Sequence, residues 1–404
     1  MRLCKTLLFI VVPLLFVCPV YAGQVQKIDS LTVVFLSGSP YEIGYQHGAL
    51  LHDEVHASVS LVLRFFRRFL KVPWVRTVLV NNWLDSAWNQ AVPYLPDDIK
   101  NELRGLADGS GVALRELYRL HAIPERTYSC ANFAAWGKAT AGGRMVHMRN
   151  LDWNIRANIQ QYPVVFVIHP NGKRAFVNVA WAGFAGVLTG INDAQVSIGQ
   201  IGAETEDISF KGEPMSFVMR RVLEETADVD AAARLIEAAK RTVGANYVIA
   251  DAKVPTGIAI ETNHTHLHVF HADDSAEKGI NYARPITDVV FRADAAMDPD
   301  IRNRQLASHG DPKRPGLEDP VGSSAYDVRY LGQAAGILAH YGKLDAEAAK
   351  KIAKKVAPDS NVQSVVFAWP DLWIANANNQ IPAAKTGYHR FNLPELFSQP
   401  VQVQ

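Results

Sequence analysis

The chain has 404 residues, 48% of them hydrophobic and 20% charged, a globular composition with length enough for one large domain or two ordinary ones. Its 41 Lys and Arg nearly cancel 40 Asp and Glu, so no bulk cationic field draws it to nucleic acid, and the apolar content excludes a disordered chain. Three cysteines are too few for a disulfide scaffold or a structural zinc ribbon.

At the start of the chain, Arg2 and Lys5 precede an apolar run from Leu7 to Val20, and Val20-Tyr21-Ala22 offers small residues where a signal peptidase reads. Residues 1–22 are therefore expected to be a secretory signal, and the protein to be secreted or periplasmic. Pro13 interrupts the run, which is short for a membrane span. A cut before Gly23 removes Cys4 and Cys18 and leaves Cys130 alone. A lone cysteine in an exported protein is either an inert buried thiol or a reactive one.

After one short strand, Leu31 to Leu36, the region up to about Glu125 reads as helical. Tyr41 to Leu70 is a long periodic stretch, followed by Leu79 to Val92, Pro96 to Ala107 and Leu114 to His121. Asp97 and Asp98 suit a first helical turn, and Asp108-Gly109-Ser110-Gly111 reads as a stop. Beyond Cys130 short β runs take over: Arg144 to Met148, Val164 to Ile168, Ala175 to Ala180, Val187 to Ile191 and Val196 to Ile201. Two helices, Glu213 to Glu225 and Val229 to Ala239, separate these from strands at Ala245 to Ala250, Gly257 to Glu261 and His264 to Phe270. Helices at Ala325 to His340 and Asp345 to Lys355 then precede strands at Gln363 to Phe367 and Leu372 to Asn376. Strand runs alternating with helix pairs predict an α+β sandwich of sheets covered by helices. Asp294 to Gly322, rich in Asp and Pro, reads as a surface loop.

The chemistry centres on Cys130-Ala131-Asn132-Phe133, which runs on to Arg149-Asn150-Leu151-Asp152-Trp153. Ahead of it stand Gly38-Ser39-Pro40-Tyr41-Glu42-Ile43-Gly44, His47-Gly48 and Glu102-Leu103-Arg104-Gly105; behind it come Gly190-Ile191-Asn192, Gly244-Ala245-Asn246-Tyr247, Glu261-Thr262-Asn263 and Arg302. In order and spacing this set resembles the penicillin-biosynthetic acyltransferase family and, more remotely, the choloylglycine and penicillin V hydrolases. All are N-terminal-nucleophile (Ntn) hydrolases.

The resemblance implies a four-layer αββα sandwich that cuts its own Ser129–Cys130 bond. Residues 23–129 would then form a mainly helical α chain and residues 130–404 the catalytic β chain. The freed α-amino group of Cys130, with an ordinary pKa of about 7.7–8.0, would serve as base to its own thiol, so that no histidine or cofactor is required. Arg149 and Asp152 would sit beside the nucleophile, and Asn246 would donate to the oxyanion. A backbone N–H near Gly202 would be a second donor, and Arg302 a late active-site arginine. The segment Asn192-Asp193-Ala194-Gln195-Val196 has lost the glycine of the corresponding family turn. The expected substrate is a small acyl amide or ester, with hydrolysis favoured over acyl transfer.

Each residue also has a plain structural reading: Arg149 and Asp152 as an ion pair, Asn246 as a strand cap, Arg302 as a solvated charge. Two histidine clusters compete for function. His52 and His56 stand at i and i+4 on one helical face, a spacing that suits zinc, but Asp53 holds the place of the zincin glutamate and no third ligand follows. A zinc hydrolase is therefore the alternative enzyme. His264, His266 and His268 alternate along a strand, with His271 beyond, and read more simply as a wet face. Leu61 to Arg76 interleaves five cations with Phe65, Phe66, Phe69 and Trp74. It suits a weak membrane-surface contact or an acyl chain, and suits better a core-facing aromatic stripe with a basic outer face. A binding protein that uses this surface is the non-enzymatic alternative.

Overall fold

A computed structural model describes residues 23–29, 31–68, 75–123, 129–280, 283–305, 325–376 and 380–399. The expected signal, residues 1–22, lies outside them, as do 69–74 of the basic aromatic stretch and 306–324 of the Asp- and Pro-rich stretch. The first elements are β1 (Gln24–Ile28), β2 (Leu31–Gly38), α1 (Pro40–Leu50), α2 (His52–Arg67), α3 (Arg76–Ala91), α4 (Asp97–Ser110) and α5 (Leu114–His121). Next come β3 (Ser129–Gly137), β4 (Gly143–Asp152), β5 (Pro163–Pro170), β6 (Phe176–Trp181), β7 (Thr189–Asn192), β8 (Val196–Gly202), α6 (Met215–Glu225) and α7 (Val229–Ala238). Then follow β9 (Ala245–Asp251), β10 (Thr256–Thr262), β11 (Leu267–His271), α8 (Ser275–Lys278), β12 (Val289–Arg292) and α9 (Pro299–Arg302). The last are α10 (Ala325–Ala339), α11 (Ala346–Val356), β13 (Asn361–Ala368), β14 (Asp371–Asn376), β15 (His389–Asn392) and α12 (Leu393–Ser398).

Among the described residues the strands form two sheets, in the orders β1-β2-β5-β6-β7-β8-β9-β10-β11 and β12-β3-β4-β13-β14-β15. Neighbours run antiparallel except β2 and β5, which are parallel, with Thr32 opposite Val164 and Gly38 opposite Pro170. The sheets pack face to face: Arg149 of β4 reaches the Gln200 carbonyl of β8, and His147 bonds Ser197 of β8. Helices α6 and α7 cover the outer face of the larger sheet, where the Leu223 carbonyl accepts from Asn192. On the far side α10 and α11 cover the smaller one, the Ala353 carbonyl accepting from Asn150 and Gln333 donating to the Arg292 carbonyl. This is a four-layer αββα sandwich, the architecture the sequence predicts.

Local sequence accounts for several boundaries. Ser39 and Glu42 form a reciprocal capping box at the start of α1, with Pro40 in the first turn. Gly111 ends α4 in the left-handed conformation (φ 71°) that glycine adopts without strain. Helices α1 and α4 cross so closely that a Cβ on Gly44 would lie 1.9 Å from the Glu102 carbonyl, and one on Gly105 2.0 Å from that of Tyr41. The glycines that carried the family resemblance ahead of Cys130 are thus what lets these helices touch.

Three expectations are corrected. The stretch Tyr41 to Leu70 is not one helix but breaks at Leu51, between α1 and α2. The region after β2 is helical as expected, α1 to α5, but its strand is not alone, since β1 precedes β2 and the two together extend the larger sheet. Finally, Asp294 to Gly322 is no surface loop over its described part. Asp294, Ala295, Ala296, Met297, Ile301, Arg302 and Gln305 are all buried, because this segment closes over the end of β3.

Candidate active site

Strand β3 starts at Ser129, and Cys130 is its second residue, with no exposed surface. Its partner β4 puts Leu151 opposite Cys130, Arg149 opposite Asn132 and Asp152 opposite Ser129. Side chains alternate across a sheet, so Cys130, Asn132 and Arg149 point toward the larger sheet while Asp152 points toward the covering helices. Two charged residues only three apart therefore approach the cysteine from opposite faces.

Arg149 is fully buried. Its Nη2 lies 3.4 Å from Cys130 Sγ and donates to the Gln200 carbonyl at 3.1 Å, while Nη1 reaches Gln363 Oε1 at 3.3 Å. Gln363 is itself held by Thr189 at 2.7 Å and donates to the Val179 carbonyl at 2.9 Å. Room for the arginine comes from Gly199 of β8. A Cβ there would stand 2.4 Å from Asn132 Nδ2 and 2.7 Å from Arg149 Cγ. Gly199→Ala is accordingly expected to cost about 1–3 kcal/mol through overpacking and to push the guanidinium off the sulfur. An unchanged urea midpoint would count against that geometry.

On the opposite face, Asp152 accepts from Asn361 Nδ2 at 2.9 Å and pairs with Arg329 of α10. Burial raises the Asp152 carboxyl above the usual range, against the pull of Arg329 and Asn361. Arg329 also donates to Asp294 at 3.1 Å, and Asp294 Oδ1 accepts the backbone N–H of Cys130 at 2.9 Å. Gln305 pins this turn by donating to the Asp294 carbonyl and accepting from the Ala296 N–H. Burial disfavours charge on Arg329, but attraction to Asp152 and Asp294 outweighs it and holds the guanidinium above its ordinary pKa. Two cations and two carboxylates thus surround the sulfur. Burial nonetheless pushes the Cys130 thiol up to about 11, with Arg149 opposing and Asp152 and Asp294 adding to the rise. With its backbone nitrogen in an amide, Cys130 is a neutral thiol at neutral pH.

Asn246 lies on β9, opposite Glu261 of β10 and Ile201 of β8, and its Nδ2 donates to the Ala293 carbonyl at 3.2 Å, one residue before Asp294. Gly202 ends β8 opposite Ala245, beside it. Arg302, in α9, is buried and donates to the Ala296 carbonyl at 3.2 Å, so it is not the solvated charge its plain reading supposed. The arginine that bridges Asp152 and Asp294 beside Cys130 is Arg329. Asp294, Arg329, Asn361, Gln200 and Gln363 were not anticipated from the sequence. Arg329 sits inside a stretch read correctly as helix, and Asp294 opens the stretch misread as surface.

The histidine clusters have other partners. His56 Nε2 lies 2.7 Å from the Ser110 carbonyl, which makes that nitrogen a donor and removes its lone pair from metal binding. His52 bonds its neighbour Asp53. His264 bonds the Arg241 carbonyl, His266 lies against Asp207 and His268 against Asp298. Among the described residues no group of three or more His, Cys, Asp or Glu is placed to hold a metal ion.

No family model matches the chain. It is 27% identical over 265 residues to Protein dcd1B of Dictyostelium discoideum, a match covering 60% of this chain and 52% of that one. It is 23% identical over 177 residues to the N-acylethanolamine-hydrolyzing acid amidase of Rattus norvegicus, covering 41% and 48%. The chain spans about half the length of these relatives. Among solved structures, an N-acylethanolamine-hydrolyzing acid amidase ortholog from Caenorhabditis elegans aligns over 59% of this chain and 92% of its own, with a TM-score of 0.44 and 17% identity. Sequence similarity thus relates the chain to amide-hydrolysing enzymes of the Ntn class, the broader of the two assignments its motifs suggested.

Proposed function

We propose that this protein is an exported, self-processing cysteine amide hydrolase whose nucleophile is Cys130. One observation carries the reading. The cysteine has a placed partner at each of its two reactive atoms, Arg149 at the sulfur and Asp294 at the nitrogen. An inert core thiol needs neither, and burying four charges around one is costly unless they act.

In processing, Cys130 Sγ attacks the Ser129 carbonyl carbon, the C–N bond breaks, and the amine is released while an S-acyl ester forms. Water then hydrolyses that ester, leaving a Ser129 carboxylate and a free thiol. Residues 23–129 become one chain and 130–404 the other. The new α-amino group stays where the amide N–H stood, against Asp294. In turnover that amine takes the thiol proton, the sulfur attacks the substrate carbonyl, and the resulting ammonium protonates the leaving amine. The amine then activates water to release the acid from the thioester. Arg149 stabilises the thiolate as it forms. Asn246 serves the oxyanion by exchanging the Ala293 carbonyl for the tetrahedral oxygen, an interaction of typically about 2.7–4 kcal/mol. Hydrolysis is favoured over transfer, since an exported enzyme meets water more readily than coenzyme A thioesters.

Intact mass spectrometry tests the reading. Wild-type protein is expected as two fragments, one starting at Cys130, and Cys130→Ala as a single chain without amidase turnover. A Cys130→Ala protein that retains turnover would overturn it, whereas activity lost to a chelator would restore the zinc alternative at His52 and His56.

A further inference from the structure

An arginine side chain rotates about several bonds, so its head stays on a sulfur only where other atoms fix it. For Arg149 one such atom is Gln363 Oε1, which accepts from Nη1 at 3.3 Å. Gln363 belongs to β13 of the smaller sheet but is anchored in the larger one. It accepts from Thr189 Oγ1 of β7 at 2.7 Å and donates from Nε2 to the Val179 carbonyl of β6 at 2.9 Å. The side chain is fully buried.

Its aim comes from a fault in the ladder. Along β13, Asn361 stands opposite Asp152 and Gln363 opposite Leu151, which leaves Val362 as an extra residue, a bulge. Residues two apart on a regular strand share one face. The bulge parts these two: Asn361 reaches Asp152 on the face of the covering helices, and Gln363 reaches Arg149 between the sheets.

Gln363 is also neutral. A carboxylate in its place would hold the guanidinium as firmly, but its charge would offset the cation that favours thiolate. The carboxamide fixes the arginine and leaves its field on the sulfur. The other charges that act on Cys130 are Asp152, Asp294 and Arg329, while His147, bonded to Asn132 and Ser197, is held neutral by its burial.

We propose that Gln363 is the positioning residue of the nucleophile, holding Arg149 on Cys130 Sγ without cancelling its charge. The inference rests on the reading of Cys130 as a nucleophile and adds a residue to it.

Freshly translated precursor, followed on gels as it is cut, tests this. Wild-type cutting is expected to quicken with pH as the thiol ionises. Gln363→Glu has nearly the same shape, and its carboxyl is neutral in acid but ionised at higher pH. It should lag wild type by about twofold or less near about pH 5 and by at least about tenfold near about pH 8. Gln363→Met, neutral and of similar volume, loses the acceptor and should lag by a similar factor at every pH. A Gln363→Glu lag that stays constant across the range, or a Gln363→Met precursor cut at the wild-type rate, would overturn the proposal. If the Gln363 variants fail to fold, Thr189 decides, since it bonds Gln363 and stands one step removed from Arg149. Thr189→Val should slow cutting about threefold or more and Thr189→Ser, which keeps the hydroxyl, should restore it; equal rates for the two would count against the role. Should wild type itself stay uncut, alkylation of Cys130 by iodoacetamide over the same pH range separates the readings. A ratio of wild-type to Gln363→Glu rates that grows with pH upholds the positioning role while self-processing fails; a constant ratio, or no alkylation, removes both.

Discussion

Arg329→Met is expected to lower stability by about 3–5 kcal/mol and to abolish both processing and turnover. The guanidinium is the shared partner of Asp152 and Asp294, two carboxylates that flank the nucleophile. Removing it takes the shared cation away from two buried carboxylates, and breaking a buried pair from one side costs about that much. Methionine keeps most of the volume, so the loss is electrostatic rather than a cavity effect. A companion substitution separates the two. Arg329→Met/Asp294→Asn removes one of the two carboxylates and should recover part of the urea midpoint, yet leave the chain uncut, because the Cys130 nitrogen has lost its carboxylate. A double variant no more stable than Arg329→Met alone would show that the bridge does not balance these charges.

Acid is the second large lever. His47, His121 and His147 are buried and neutral, with pKa values lowered by burial to about 3, 4 and 3 from 6.5. Arg220 further disfavours charge on His47 and His121, and Arg149 does so on His147. His47 Nε2 accepts the Gly183 N–H and His121 Nε2 the Ala185 N–H, both at 2.9 Å, so a proton on either ring would face a donor. Unfolded histidine takes up its proton near pH 6.5 and these three do not. Their contribution to stability is therefore complete above that pH and declines as pH falls toward 4, by about 1.4 kcal/mol per pH unit for each ring. Three rings give about 4 kcal/mol per unit against a total of about 5–15 kcal/mol. Buried carboxylates such as Asp152 and Glu102, raised by their own burial, offset part of it. His47→Gln, whose amide oxygen can still accept from Gly183, is expected to flatten the decline by roughly one ring's share. Urea midpoints between about pH 7 and pH 5 read this directly, and parallel curves for the two proteins would refute it.

How much of this was legible beforehand follows from where the residues sit. Cys130, Arg149 and Asp152 lie on two consecutive strands joined by a short connection, so nearness in sequence carried over into nearness in space. Asp294 meets Cys130 across 164 positions and Arg329 meets Asp152 across 177. Pairing of β12 with β3, Arg292 opposite Asn132, brings Asp294 to Cys130, and α10 packing over the smaller sheet brings Arg329; no local pattern announces either. Strand β3 itself gave no signal, since Cys130 to Ala135 is buried on both faces and so lacks the polar alternation of a half-exposed strand. Helix α5, amphipathic and short, was bounded correctly from its periodicity, Leu114 to His121. The break at Leu51 escaped notice because apolar spacing continues through it and no proline or glycine marks the turn.

Strand β2 lies upstream of the proposed Ser129–Cys130 cut yet is hydrogen-bonded between β1 and β5, in register from Thr32 to Gly38. The two pieces left by self-cutting would therefore share one continuous ladder rather than a detachable interface. Dilution of the folded protein should not part them, but unfolding releases two chains, so the melting temperature of cut protein should rise with protein concentration while that of the uncut Cys130→Ala chain should not. The peptide ahead of Cys130 would be discarded only when the whole molecule comes undone, so a protein cut in two would still live and die as one.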